Sequence, residues 1–557
     1  DFDEKLIEAT INNYKMELMR SFEENDSRAI LYVYSFISGA DWADEVARLD
    51  RMSKITKQDV VEWANKYLGP ESYAIIYKRE GKDPDEQKIA APKITPIVTN
   101  RDSQSEFLSE IQTAQVQPIE PVFVDYKKDM SQFEAQPGID VLYKKNETND
   151  IFTLIYVFNT GTENDPALNL AFNYLSYLGT DKMTAEEIAS KMYDIACSFY
   201  MNAGANQSSI QITGLSENMG KAMEIVEGLI AGAKPDEAIL ENCKADMLKS
   251  RADAKLNQSR CFGALQRYLF YGGDFIRRTT LTDPALQALT SEQLLAKIGG
   301  LMGKQHEVLY YGPQKEAEVK SALAEHHKVA ADLQPLEKKF STLLPTDANK
   351  VVLAQYDAKQ LYYLQFSNRG EKFDVAADPE ITLYNEYFGG GMNTIVFQEM
   401  REARGLAYTA WATLATPSNA NGDYSYYAFI ATQNDKMQKA VEAFDDIINN
   451  MPESEKAFGI AKEALVSRLR TERTVKDGVL WSYLRTRDLG LDAPRDKQIF
   501  EKVQSMTLDD VKAAQQKWVK GRKYVYGILG DIQDLDLNYL KTLGPIQTVS
   551  QEEIFGY

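Results

Sequence analysis

Met506-Thr-Leu-Asp-Asp-Val511, followed by Tyr524-Val-Tyr-Gly-Ile-Leu529-Gly530, leads a capped helix into an aromatic-rich strand, and the chain uses this arrangement three times. It recurs as Leu289-Thr-Ser-Glu-Gln-Leu-Leu295 before Val308-Leu-Tyr-Tyr311-Gly312. It also recurs as Ile55-Thr-Lys-Gln-Asp-Val-Val-Glu-Trp63 before Tyr73-Ala-Ile-Ile-Tyr77. Each copy places a Thr (Thr56, Thr290, Thr507) three residues before an Asp or Gln (Asp59, Gln293, Asp510). That spacing lets the two side chains satisfy free amides at a helix start. Thr290 follows Thr56 by 234 residues, and Thr507 follows Thr290 by 217. An independent pair, Lys221-Ala-Met-Glu-Ile-Val-Glu-Gly-Leu-Ile230 and Lys439-Ala-Val-Glu-Ala-Phe-Asp-Asp-Ile-Ile448, lies 218 apart. Two matches at nearly one offset indicate duplication. The period is too long for a solenoid and predicts tandem α+β domains. Each is expected to have two layers, an antiparallel-dominated sheet with helices on one face.

Working outward from the last copy, strands are expected at Val351–Ala354 and Leu361–Phe366, then a helix over 378–387 and another over 393–403. Two alternating strands follow, at 406–413 and 424–430, before the closing helices. The middle copy reads the same way. This divides the chain into domains at 131–345 and 346–557, with residues 1–82 forming only the closing part of a third. Matching Thr56 to Thr507 places Asp1 well inside a repeat, so the front of that domain is expected to be missing. The chain enters at once an amphipathic helix with Ile7, Ile11, Tyr14, Leu18 and Phe22 on one stripe. Residues 83–130 break the pattern. Ala90-Ala-Pro-Lys-Ile-Thr-Pro96 and Gln115-Val-Gln-Pro-Ile-Glu-Pro121 read as an extended linker.

Composition narrows the function classes. The chain has 557 residues, 44% hydrophobic and 26% charged, which is globular rather than disordered or fibrous. A net charge of −19 opposes a phosphate backbone, so no nucleic-acid partner is expected. Mean hydropathy is −0.40 and no apolar run reaches 18 residues, so no membrane-spanning helix is expected. Cys197, Cys243 and Cys261 lack a C-x-x-C spacing and read as free buried thiols. His306, His326 and His327 cannot supply the i, i+4 pair of a zinc-binding helix. No metal ligand is assigned in this chain.

The stretch that carries chemistry is Phe388-Gly-Gly-Gly391-Met-Asn-Thr-Ile-Val-Phe-Gln-Glu-Met-Arg401-Glu-Ala-Arg404-Gly405-Leu-Ala-Tyr408. Its glycines allow a tight turn and close backbone approach, Asn393 can cap the helix, and Gly405 can end it. With no Gly-Lys-Ser/Thr following, it is not a phosphate loop.

This string resembles the insulinase/pitrilysin family of zinc metallopeptidases, the inverzincins. The resemblance spans the chain, because large members carry four such α+β domains joined in pairs by a linker around a proteolytic chamber. It implies the C-terminal portion of a zinc-dependent endopeptidase, lacking the zinc-binding first domain. The family's His-x-x-Glu-His is absent here. The equivalent helix reads Leu170-Ala-Phe-Asn173-Tyr174, as in the family's non-catalytic half. By resemblance, Arg401 and Tyr408, seven residues apart, are the catalytic pair that reaches across the chamber to the substrate carbonyl. Arg404 is the further substrate-binding donor. The resemblance implies zinc in the full-length enzyme and none bound by this chain, which alone is expected to be inactive. It also implies peptide or unfolded-polypeptide substrates, the missing N-terminal half as partner, and a bacterial periplasmic or cell-envelope location, otherwise cytoplasmic. The alternative is a non-catalytic peptidase-like scaffold that binds peptides or a partner subunit.

Overall fold

The computed structural model describes residues 2–69, 72–81 and 105–557. Among the described residues, twelve strands build two six-stranded mixed sheets. They are β1 (Ser131–Gln136), β2 (Ile139–Lys145), β3 (Ile151–Phe158), β4 (Cys197–Ala203), β5 (Ser208–Leu215), β6 (His306–Gly312), β7 (Lys350–Gln355), β8 (Gln360–Ser367), β9 (Thr409–Ala415), β10 (Ser425–Gln433), β11 (Val525–Gly530) and β12 (Ile546–Val549). The first sheet runs β1-β2-β6-β3-β5-β4 and the second β12-β7-β11-β8-β10-β9. Apart from β1 and β12 at one edge, the two orders are the same. The shared pairings are antiparallel except β2 with β6 and β7 with β11, which are parallel. Antiparallel pairing therefore dominates, and the α+β reading holds.

The helices that matter here are α1 (Lys5–Ser21), α2 (Asn25–Ser38), α3 (Lys57–Tyr67), α4 (Leu168–Leu175), α5 (Met219–Gly232), α6 (Glu237–Lys255), α7 (Gln258–Thr279), α8 (Ser291–Met302), α9 (Asp378–Phe388), α10 (Met437–Asn449), α11 (Glu455–Thr471), α12 (Gly478–Asp488) and α13 (Leu508–Ala514). The three Thr-led capping boxes form as the spacing requires, at the starts of α3, α8 and α13. Lys221 and Lys439 sit at corresponding places on α5 and α10.

One face of each sheet is covered by its own repeat's helices. In the first, Leu168, Leu170 and Phe172 of α4 and Met223 and Val226 of α5 pack with Tyr156, Phe158 and Ile210. In the second, Ile381 and Tyr384 of α9 and Val441 and Phe444 of α10 do the same with Tyr363, Tyr426 and Ile528. The opposite faces are covered reciprocally. Helix α7, from the first repeat, lays Cys261, Phe262, Leu265 and Leu269 on Leu364, Phe366, Phe429 and Leu529 of the second sheet. Helix α12, from the second, lays Val479, Leu480 and Leu484 on Leu142, Ile155, Val157 and Leu309 of the first. Helix α7 kinks at Gly272, whose φ of +83° disfavours a side chain. Burying apolar surface on both faces of each sheet welds the two repeats together.

Some expectations fail in instructive ways. Tyr73–Tyr77 forms no strand, and its side chains are exposed; a lone extended segment gains nothing without a neighbour to pair with. Within the expected linker, Ser105 caps a helix over Glu106–Thr113, while 114–124 is irregular and Ala90–Pro96 lies outside the described residues. Helix α1 docks on the first repeat. Met16 packs against Ile151 and Ala196, and the Asn13 amide donates to the Tyr193 carbonyl at 2.7 Å. The three cysteines are free and buried, and burial pushes the Cys197 thiol up to about 12.

Candidate active-site element

The glycine-rich stretch begins where α9 ends. A side chain at Gly389 would meet the Ala412 and Asn385 carbonyl oxygens at 2.6 Å, so this position must be glycine for the turn to lie against β9. The Ala412 N–H donates to the Gly389 carbonyl at 3.1 Å and ties the two together. Gly390 and Gly391 face no such crowding. The helix starts at Ile395 with Thr394, not Asn393, at its N-cap; the Thr394 hydroxyl turns back onto the Gly391 carbonyl at 2.7 Å. From Gln398 the helix widens into a π-type turn that runs to Ala403, a feature common where side chains must be re-aimed. Gly405, at φ +58°, reverses the chain. Tyr408 stands one residue before β9 rather than inside it.

This reversal brings Arg401 and Tyr408 together. The Arg401 guanidinium carbon lies 4.8 Å from the Tyr408 ring centre and 5.0 Å from that of Phe397. Its Nε is 3.6 Å from Glu402 Oε1, a loose pairing. Tyr408 is 73% exposed, an unusual position for an aromatic in so well packed a domain. Ring stacking occupies the guanidinium while leaving hydrogen-bond capacity for an incoming acceptor. Arg404 takes a different direction. It reaches Glu399 at 3.3 Å and Asp446 of α10 at 3.2 Å, fastening the motif to that helix. Hydrogen bonds from Asn450 and Arg404 hold the Asp446 carboxyl below its usual range. The structure thus joins Arg401 to Tyr408 and gives Arg404 two carboxylate partners.

Phe397 was not singled out from the sequence, although its position four residues before Arg401 places it on the same helix face. A second cluster also escaped the sequence reading. The buried His306 and His327 face each other Nε2 to Nε2 at 2.8 Å, and His327 Nδ1 lies 2.6 Å from Glu227 of α5. Glu227 is 100 residues upstream of His327, so no local pattern announces the pair.

The described residues do not suit zinc. No group of three or more His, Cys, Asp or Glu among them could hold a metal ion. On α4, Leu170 is buried in the core, and the Tyr174 hydroxyl is engaged with Ser291 at 2.8 Å and the Asp236 backbone. His306 and His327 already spend their ring nitrogens on each other, on Glu227 and on the Lys304 carbonyl. None of the described helices is long and apolar enough to cross a membrane.

Residues 305–465 match the family described as peptidase M16 inactive domain. An uncharacterized zinc protease of Streptomyces coelicolor is 22% identical over 266 residues, which is 44% of this chain and 56% of that protein. The chain therefore spans little more than half of that relative. Among solved structures, a peptidase M16 inactive domain from Pseudomonas fluorescens has a TM-score of 0.57 at 18% identity, covering 72% of this chain and 98% of that one. The periplasmic protease PqqL from Escherichia coli has a TM-score of 0.56 at 12% identity, over 86% of this chain and 52% of that one. At these identities the structures speak for the fold.

Proposed function

We propose that the chain is a member of the M16, insulinase/pitrilysin-like peptidases and forms the C-terminal portion of a zinc-dependent endopeptidase. In this reading, residues 131–345 and 346–557 are its two non-metal domains, 1–82 closes a preceding domain, and 83–130 joins the halves. The zinc, the nucleophile and the rest of the enclosed chamber belong to the remainder of the polypeptide. This part binds peptide or unfolded-polypeptide substrate and stabilises charge on the carbonyl under attack. A periplasmic or cell-envelope setting fits that reading.

The observation that carries it is the convergence of the exposed Tyr408 ring and the Arg401 guanidinium, 4.8 Å apart where the helix reverses into β9. As a peptide carbonyl oxygen gains negative charge, the Tyr408 O–H and the Arg401 N–H groups can donate to it. Such preorganised donors act most strongly on the developing charge. Arg404 completes the reading as a reserve donor, at the cost of its contacts with Glu399 and Asp446.

Two measurements on this chain test the reading. Elemental analysis is expected to find no stoichiometric zinc, and the chain alone is expected to cleave no peptide. Calorimetric titration with an unfolded peptide is expected to show binding that Arg401→Ala weakens roughly 10- to 100-fold, the value of a charged hydrogen bond. Tightly bound zinc with chelator-sensitive hydrolysis, or binding indifferent to Arg401, contradicts it.

A further inference from the structure

A cavity of about 590 Å³ opens where α6 and α7 of the first repeat meet the closing helix of the second, over Gln551–Phe555. Three arginines line it, Arg251 from α6 and Arg260 and Arg267 from α7, against one carboxylate side chain, Glu163. In a chain with a net charge of −19, such a concentration of positive charge points to an anionic ligand.

The three guanidiniums are not equally occupied. Arg251 is spent on the fold: it pairs with Asp283, donates to the Leu281 carbonyl at 2.6 Å and stacks 4.4 Å from the Tyr557 ring centre. Arg267 has no ion pair among the described residues. It donates to the Thr279 hydroxyl at 2.6 Å and lies 5.2 Å from the Phe275 ring centre. Burial pushes its pKa down, and the nearby Glu163 charge offsets this only in part. Arg260 is exposed, and among the described residues only its backbone N–H is engaged, by Asn257 at 3.0 Å. The Thr280 hydroxyl, in the same lining, is buried without a hydrogen-bond partner. Arg260 and Arg267 stand two turns apart on one face of α7. Between them lie the small residues Gly263 and Ala264, and a side chain at Gly263 would meet nothing within 4 Å, so the floor between the two arginines is open.

The rest of the lining decides the kind of anion. Met247, Ile554 and Phe555 are apolar. A bare phosphate would leave them idle, whereas a carboxylate carried beside an apolar side chain uses both parts of the cavity. A guanidinium fork also matches a planar carboxylate with parallel hydrogen bonds. We propose that this cavity takes the C-terminal residue of a peptide, its free carboxylate held between Arg260 and Arg267 and its side chain against Met247 and Phe555. The proposal rests on the reading above for one point only, that this chain binds peptides. None of the cavity's lining residues belongs to the Arg401–Tyr408 element.

The test is calorimetric titration of this chain with one unfolded peptide ending in leucine, made both as the free acid and as the C-terminal amide. The free acid is expected to bind roughly 10- to 100-fold more tightly, the value of a charged hydrogen bond. The net charge of −19 by itself favours the amide, so the sign of the difference is diagnostic. Arg260→Gln with Arg267→Gln is expected to erase the preference. Gly263→Leu, which keeps every charge and fills the floor between the arginines, is expected to erase it as well. Arg401→Ala is expected to weaken acid and amide alike. Equal binding of the two peptides overturns the proposal and leaves the Arg401–Tyr408 reading standing; inorganic phosphate that then binds in an Arg260-dependent way would make the cavity a free-anion site. A preference for the acid that survives these cavity variants also overturns it. Absence of any peptide binding contradicts both readings.

Discussion

A guanidinium stacked on Phe397 and Tyr408 has surrendered much of its rotamer freedom before any ligand arrives. That is why Arg401 and Lys are not interchangeable here: an ammonium cannot present a planar fork while resting on rings. Arg401→Lys is expected to lose most of the peptide affinity of this chain despite keeping the charge, and a titration calorimeter reads the difference. The buried histidines make a second residue-scale prediction. The Lys304 carbonyl can only accept, so His306 Nδ1 carries the proton and its Nε2 accepts from His327. Protonating His306 would set two N–H groups against each other among the Tyr156 and Phe158 rings. Burial, aided by the neighbouring His327, pushes His306 down to about 4. A folded value below the unfolded one means this stability is present above about pH 6.5 and is lost as pH falls toward 4, at about 1.4 kcal/mol per unit. Urea midpoints between pH 7 and 4 should show that slope, and His306→Gln should flatten it. At this scale the sequence discloses what is local. Arg401 and Tyr408 are seven residues apart and meet, whereas Glu227 and His327 are brought together only by the tertiary fold.

At the level of elements, the capping boxes were readable because a cap is a four-residue interaction. Thr290→Ala is expected to cost about 1 kcal/mol, measured by denaturant titration. Five strands of the last repeat were readable from alternation and aromatic content, but the four-residue edge strand β12 was not. Tyr73–Tyr77 has the same composition but no pairing partner among the described residues, and composition alone cannot supply one. The start of β9 moved three residues past its expected place because the reversal at Gly405 consumes Leu406–Tyr408 before sheet pairing begins. That shift leaves Tyr408 outside the ladder and free to face outward.

For the whole molecule, the repeat period was legible, but the exchange of α7 and α12 between repeats was not, since an amphipathic stripe does not say which sheet it will cover. The exchange predicts cooperativity across the two repeats. Leu480→Ala, in the second repeat, removes contacts with the first sheet and is expected to destabilise by about 2–5 kcal/mol. Hydrogen exchange should show β2, β3 and β6 losing protection along with α12. As proposed above, this chain would supply charge stabilisation to a reaction whose metal lies elsewhere in the polypeptide. The most direct test is kcat and zinc content of Tyr408→Phe and Arg401→Ala in the full-length protein. Deleting one preorganised donor is expected to lower kcat on the order of 10²-fold or more, with zinc stoichiometry unchanged. Unchanged kcat in both variants would contradict the claim, and so would loss of zinc.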